Sequence, residues 1–114
     1  MSINVDYTLE FKRNIRQLVK KYPSIRKDIE PIIQGLQQGE LLGDRIQHSG
    51  YVIYKLRVKN SDNRKGKSAG YRIIYYLKTA ANIVLVTIYS KSEQSDITVN
   101  ELKAIIKQFD TGIF

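Results

Sequence analysis

YVIYKLRVKNSDNRKGKSAGYRIIYYLKTAANIVLVTIYSK, residues 51–91, decides the fold. From Tyr51 the apolar period is two: Val52, Tyr54, Leu56 and Val58 point one way, and Lys55, Arg57 and Lys59 the other. The first strand of the stretch therefore has an apolar face and a cationic face. NSDNRKGKSAG, residues 60–70, is rich in turn formers and reads as a loop. In the strand GYRIIYYLK that follows, Tyr71, Ile73, Tyr75 and Leu77 share one face, and Arg72, Ile74, Tyr76 and Lys78 the other. After a short turn at Ala80, Ala81 and Asn82, NIVLVTIYSK is apolar on both sides until Tyr89, Ser90 and Lys91, as an interior strand should be.

Outward from these strands the period changes. Upstream, INVDY (residues 3–7) reads as a short first strand. Thr8 then caps a helix with Phe11, Ile15, Leu18, Val19 and Tyr22 on one face. Pro23 ends it. Ser24 caps a second helix carrying Ile25, Ile29, Ile32, Ile33 and Leu36, which Gly39 stops. Pro31 removes one of its hydrogen bonds and is expected to kink or divide it. Downstream, Thr98 and Glu101 form a capping box before Leu102, Ile105, Ile106 and Phe109. The predicted order is β-α-α-β-β-β-α. It describes an α+β domain in which an N-terminal strand and a helical hairpin pack on a mainly antiparallel sheet with a C-terminal helix.

The chain of 114 residues is the size of a single domain, here residues 1–114, and 42% hydrophobic content with 8 Tyr argues against disorder. Zero Cys excludes a disulfide scaffold, a cysteine-ligated metal and a thiol nucleophile. MSINVDYTLEFKRN meets charge too early for a signal peptide, and the longest aliphatic run, Ile83 to Val86, is far below the ~20 residues of a membrane span. These features predict a cytoplasmic protein with no membrane partner. The net charge of +8 is concentrated in residues 48–92, where Lys55, Arg57, Lys59, Arg64, Lys65, Lys67, Arg72, Lys78 and Lys91 face Asp62 alone. A basic field beside a nearly neutral remainder implies a polyanionic partner, with nucleic acid first.

YKLRVKN (residues 54–60), GKSAGYRIIYY (66–76) and TIYSKSEQSDIT (87–98), in this order, resemble the RelE/ParE toxin superfamily, most closely its HigB-like branch. The resemblance covers nearly the whole chain and implies a RelE-like fold. It also implies a bacterial type II toxin that enters the ribosomal A site, cleaves mRNA there without a metal or other cofactor, and is held inactive by a cognate antitoxin. Carried over by position, the functional residues are Lys55, Arg57, Lys67, Arg72 and Lys91, with Tyr89 beside them. Two other classes share features of this reading. ParE-like relatives inhibit DNA gyrase without catalysis but generally lack the cations, and a plain RNA-binding module would have the charge without the toxicity.

The residue types suit the chemistry. Cleavage of RNA by its own 2′-hydroxyl needs a proton acceptor, stabilisation of a phosphorane-like transition state and a proton for the leaving 5′-oxygen. Arg57 and Arg72 suit the phosphate, since guanidinium binds it bidentately and keeps its charge. An ammonium group among like charges gives up its proton more readily, which makes Lys91, or else Lys55, the candidate base. Tyr89 is a weaker candidate; it and Tyr76 can instead stack on unpaired bases. Lys59, Arg64, Lys65, Lys67 and Lys78 are expected to bind RNA or the ribosome, although Lys59 and Lys78 also read as lysines protecting strand ends. Many relatives carry a Tyr or His near the C-terminus as acid or base. Here no Tyr, His or Arg follows Lys91, which leaves the general acid unassigned. Of the remaining features, GKSAG lacks the GxxxxGK[ST] spacing of a nucleotide-binding loop, His48 is a lone loop histidine, and no serine has triad partners.

Overall fold

The computed structural model describes residues 2–63 and 69–112. In chain order the elements are β1 (Asn4–Tyr7), α1 (Leu9–Lys21), α2 (Ile25–Gln37), β2 (Asp44–Ile46), β3 (Ile53–Val58), β4 (Tyr71–Thr79), β5 (Asn82–Ser90) and α3 (Val99–Thr111). They form the expected α+β domain, with one strand more than the periodicity predicted. The sheet order is β1-β5-β4-β3-β2; β1 runs parallel to β5 and the other pairs are antiparallel. The additional strand, β2, is only three residues long and sits on the outer edge. Gly43, at φ +90, lets the chain approach β3 there, because a Cβ would run into the Lys55 carbonyl.

Each face of the sheet has its own core. Phe11 and Ile15 of α1 and Ile25, Ile29 and Leu36 of α2 pack on Val58, Tyr71, Ile73, Tyr75, Ile83, Leu85 and Ile88. On the other face Leu102 and Ile106 of α3 cover Ile53, Ile74, Tyr76, Val84, Val86 and Tyr89. The faces follow the predicted alternation in β4. In β5 they do not, because the register passes from Tyr75↔Leu85 to Ile74↔Thr87 and skips Val86. This bulge inverts the alternation: Ile83 and Leu85 face the helical hairpin, yet so does Ile88, and Tyr89 turns to the α3 side.

The caps explain where helices begin. Thr8 Oγ1 accepts from the Phe11 amide at 2.9 Å and donates to the Val86 carbonyl at 2.6 Å, so one hydroxyl starts α1 and satisfies the bulge. Thr98 and Glu101 form the reciprocal capping box at α3. Ser24 precedes α2 but makes no side-chain cap, contrary to expectation; its own amide donates to Asp62 at 2.9 Å. Nor does Pro31 divide α2, which runs unbroken from Ile25 to Gln37. Pro31 is exposed, so solvent can reach the backbone partner that the ring cannot supply.

Candidate functional site

Three strands present the site. Arg57 of β3 stands directly opposite Arg72 of β4, and Arg72 directly opposite Tyr89 of β5. Like charges at directly opposed positions destabilise a sheet. The arrangement therefore works against folding and concentrates positive charge at one point of the sheet. Two residues along the same face, Lys55 of β3 opposes Ile74, with Asp44 of β2 on its other side. α3 covers this face only in part, over Ile53, Ile74, Tyr76, Val84, Val86 and Tyr89. Beyond its reach an open cleft of about 510 Å³ is lined by Lys55, Arg57, Arg72 and Lys91, together with Arg45 and Asp96.

Arg57 is exposed, but Arg72 is only 4% exposed. Arg57 thus stands at the surface, whereas interior strands enclose Arg72 on both sides. Its Nη1 donates to the Tyr71 carbonyl at 3.2 Å.

Asp96, in the segment between β5 and α3, joins the cluster. Its Oδ1 accepts from Lys55 Nζ at 2.8 Å, Lys91 Nζ at 3.0 Å and Tyr89 Oη at 3.0 Å. The contacts from Lys55, Lys91 and Tyr89 hold the Asp96 carboxyl well below the usual carboxylate range. Burial, and then the contact with Asp96, push the Tyr89 phenol up to about 12, with Arg72 opposing the shift. Tyr89 therefore stands protonated at neutral pH, and its hydroxyl hydrogen is engaged by Asp96.

Lys55, Arg57, Arg72, Lys91 and Tyr89 thus come together as the sequence suggested. Tyr89, however, is 3% exposed, and so is Tyr76. Neither ring is open to stack on a base, which corrects that expectation. Tyr76 lies under α3, where its hydroxyl donates to Asp110 at 2.5 Å, and Lys78 pairs with the same carboxylate at 3.5 Å. Both are at the far end of the face from the cleft. Lys59 is exposed just beyond β3 and outside the residues lining the cleft. Arg64, Lys65 and Lys67 lie outside the described residues.

Sequence reasoning missed Arg45 and Asp96. Arg45 belongs to a three-residue strand too short to show a period. Asp96 lies in a segment with no period, and no spacing signals that its loop returns to β3. Among the described residues, no group of three or more His, Asp or Glu is placed to hold a metal, and no helix is long and apolar enough to cross a membrane. The family described as RelE toxin of RelE / RelB toxin-antitoxin system matches residues 7–111, nearly the whole chain. The chain belongs to the RelE toxin family: it is the toxin of a toxin–antitoxin pair, a class that generally inhibits translation, and family membership implies an antitoxin partner.

Proposed function

We propose that this RelE-family toxin is a ribosome-dependent endoribonuclease of the HigB-like branch, which cleaves translated mRNA in the A site. The observation that carries the reading is the opposed pair Arg57 and Arg72, flanked by Lys55 and Lys91 in one open cleft. In the step proposed, the 2′-hydroxyl loses its proton and its oxygen forms a bond to phosphorus. The bond from phosphorus to the 5′-oxygen breaks, and that oxygen takes up a proton. Arg57 and Arg72 carry the charge that builds on the phosphoryl oxygens, where a preorganised donor is worth about 10²- to 10³-fold in rate. Lys91 is assigned the proton transfer: in its amine form it takes the proton from the 2′-hydroxyl, and the ammonium so formed gives that proton to the 5′-oxygen. The step requires no metal.

The ribosome's part is to align the substrate, a contribution that reaches about 7–11 kcal/mol in well-oriented systems. Cleavage should therefore appear on programmed ribosomes and be nearly absent on free RNA. Primer extension on a reporter mRNA, in induced bacteria and with purified protein, checks this. Efficient cutting of free RNA removes the ribosome requirement, and growth arrest without cuts favours the gyrase-inhibiting alternative. Lys91→Ala should slow cutting more than it weakens ribosome binding, and Lys91→Arg at the normal rate would move the proton transfer elsewhere. The antitoxin is expected to present carboxylates to this face, or an apolar helix or strand beside it, over about 1,200–2,000 Å².

A further inference from the structure

One oxygen of Asp96 receives donors from three positions: Lys55 on β3, Tyr89 on β5 and Lys91 just past its end. The two lysines are about a third exposed, at 30% and 32%, and Asp96 is 54% exposed. The cluster is therefore at the wall of the cleft, within reach of an incoming ligand. An ammonium group has three N–H donors and a phenol has one. With one donor each spent on Asp96, Lys55 and Lys91 keep two apiece, whereas Tyr89 keeps none. Two ammonium groups bound to a single atom can stand no farther apart than those two bonds laid end to end. Their mutual repulsion opposes that spacing, and Arg57 and Arg72 add to it. Only an anion between them makes it stable, and before RNA arrives that anion is Asp96.

We propose that Asp96 is a positioning residue for RNA cleavage: by gathering Lys55, Lys91 and Tyr89 on one carboxylate oxygen, it sets both lysines side by side at the cleft, beside the arginine pair, in advance of substrate. The proposal rests on the nuclease reading above. Asp96 does not itself carry the proton, since its neighbours keep it ionised. As an anion in a phosphate-binding cleft it also opposes binding. Its removal should thus slow the chemical step while leaving ribosome affinity equal or tighter, a combination that neither a purely structural residue nor a purely attractive one would give.

The test is single-turnover cleavage of mRNA on programmed ribosomes, at saturating and sub-saturating toxin, for the wild type, Asp96→Asn and Asp96→Glu. Asp96→Asn is expected to lose about 100-fold in the saturated rate, the effect of a misplaced reacting group. Half-saturation should stay unchanged or fall. Asp96→Glu, which keeps the carboxylate on a longer stem, should recover part of the rate, and it carries the test if Asp96→Asn does not fold. Adding Lys91→Ala to Asp96→Asn should give less than the sum of the separate losses, because Lys91 acts in place only while Asp96 holds it. Wild-type cutting by Asp96→Asn, a loss seen only as weaker binding, or additive losses would overturn the positioning role. A wild type that does not cut on ribosomes overturns the nuclease reading and the role with it, so the two failures are distinct.

Discussion

The α3 face of the sheet contains the same chemical trio twice. At one end Tyr76 donates to Asp110 and Lys78 pairs with it; at the other, Tyr89 donates to Asp96 and Lys55 and Lys91 pair with it. Both phenols are buried, and in both burial is the largest cause of the raised pKa. The ends differ in their balance of charge. Asp110 sits on α3 and answers one lysine, whose ammonium also lies 5.4 Å from the centre of the Phe109 ring. That end is balanced in charge, and it fastens α3 to β4. Asp96 answers two lysines beside two arginines, in a cleft whose lining cations outnumber its carboxylates. A tyrosine, an aspartate and a lysine do not by themselves make a functional site. What sets the Asp96 end apart is the excess of cations lining an open cleft.

The sharpest way to break this comparison is to remove one cation from each end. Arg57→Ala should lower cleavage by about 10²- to 10³-fold with an unchanged melting temperature, since Arg57 is exposed, whereas Lys78→Ala should leave cleavage intact and shift stability by less than about 1 kcal/mol. Equal losses of cleavage in the two variants would erase the distinction. Arg72→Ala should match Arg57→Ala in activity but also melt earlier, because it empties a buried position; thermal denaturation beside the cleavage assay reads both.

A smaller effect separates the phenols. Tyr76→Phe should lower stability by about 1–2 kcal/mol and leave cleavage alone, and Tyr89→Phe should lower cleavage. The tyrosines also report on the site in alkali. Tyr89 has a raised folded pKa, so its contribution to stability is complete below about 10, the unfolded value, and is lost as pH rises through 10 towards about 12. Tyrosinate absorbance should show Asp96→Asn bringing one late-titrating phenol to lower pH; an unchanged titration would mean that Asp96 does not act on Tyr89.

The least effect is expected in acid. The Asp96 carboxyl is depressed, so its contribution is present above the unfolded carboxylate value of about 4 and is lost as pH falls below it. Melting curves between about pH 6 and pH 2 should therefore fall less steeply for Asp96→Asn than for the wild type. Identical curves would show that the exposed carboxylate has no net role in stability.

What the sequence made legible follows from length and period. The alternation of β3 and β4 placed Arg57 and Arg72 together because six and nine residues are enough to show a period of two. The helices were legible from Phe11, Ile15, Ile25, Ile29 and the Thr98–Glu101 box. β2 was hidden by its length, and Asp96 by lying in a segment with no period at all. The bulge at Val86 is subtler. Simple alternation from the core residues Ile83 and Leu85 would turn Tyr89 and Lys91 towards the helical hairpin, and the skipped residue is what brings Tyr89 to the α3 face and Lys91 to the cleft. An apolar run such as IVLVTI conceals that inversion, because both faces of an interior strand read alike.

The parallel pairing of β1 with β5 sets the order in which the molecule can assemble. Thr8 finds the Val86 carbonyl across 78 positions of chain, and β1 has no other neighbour in the sheet. Contacts so distant in sequence raise contact order and must close a long loop before they return any stability, which slows folding. As the polypeptide emerges from N- to C-terminus, β1 and the two helices wait for a strand that is made late, and Lys91 and Asp96 are made later still. The residues of the cleft, drawn from β2, β3, β4 and the segment after β5, therefore come together only after most of the chain has been made.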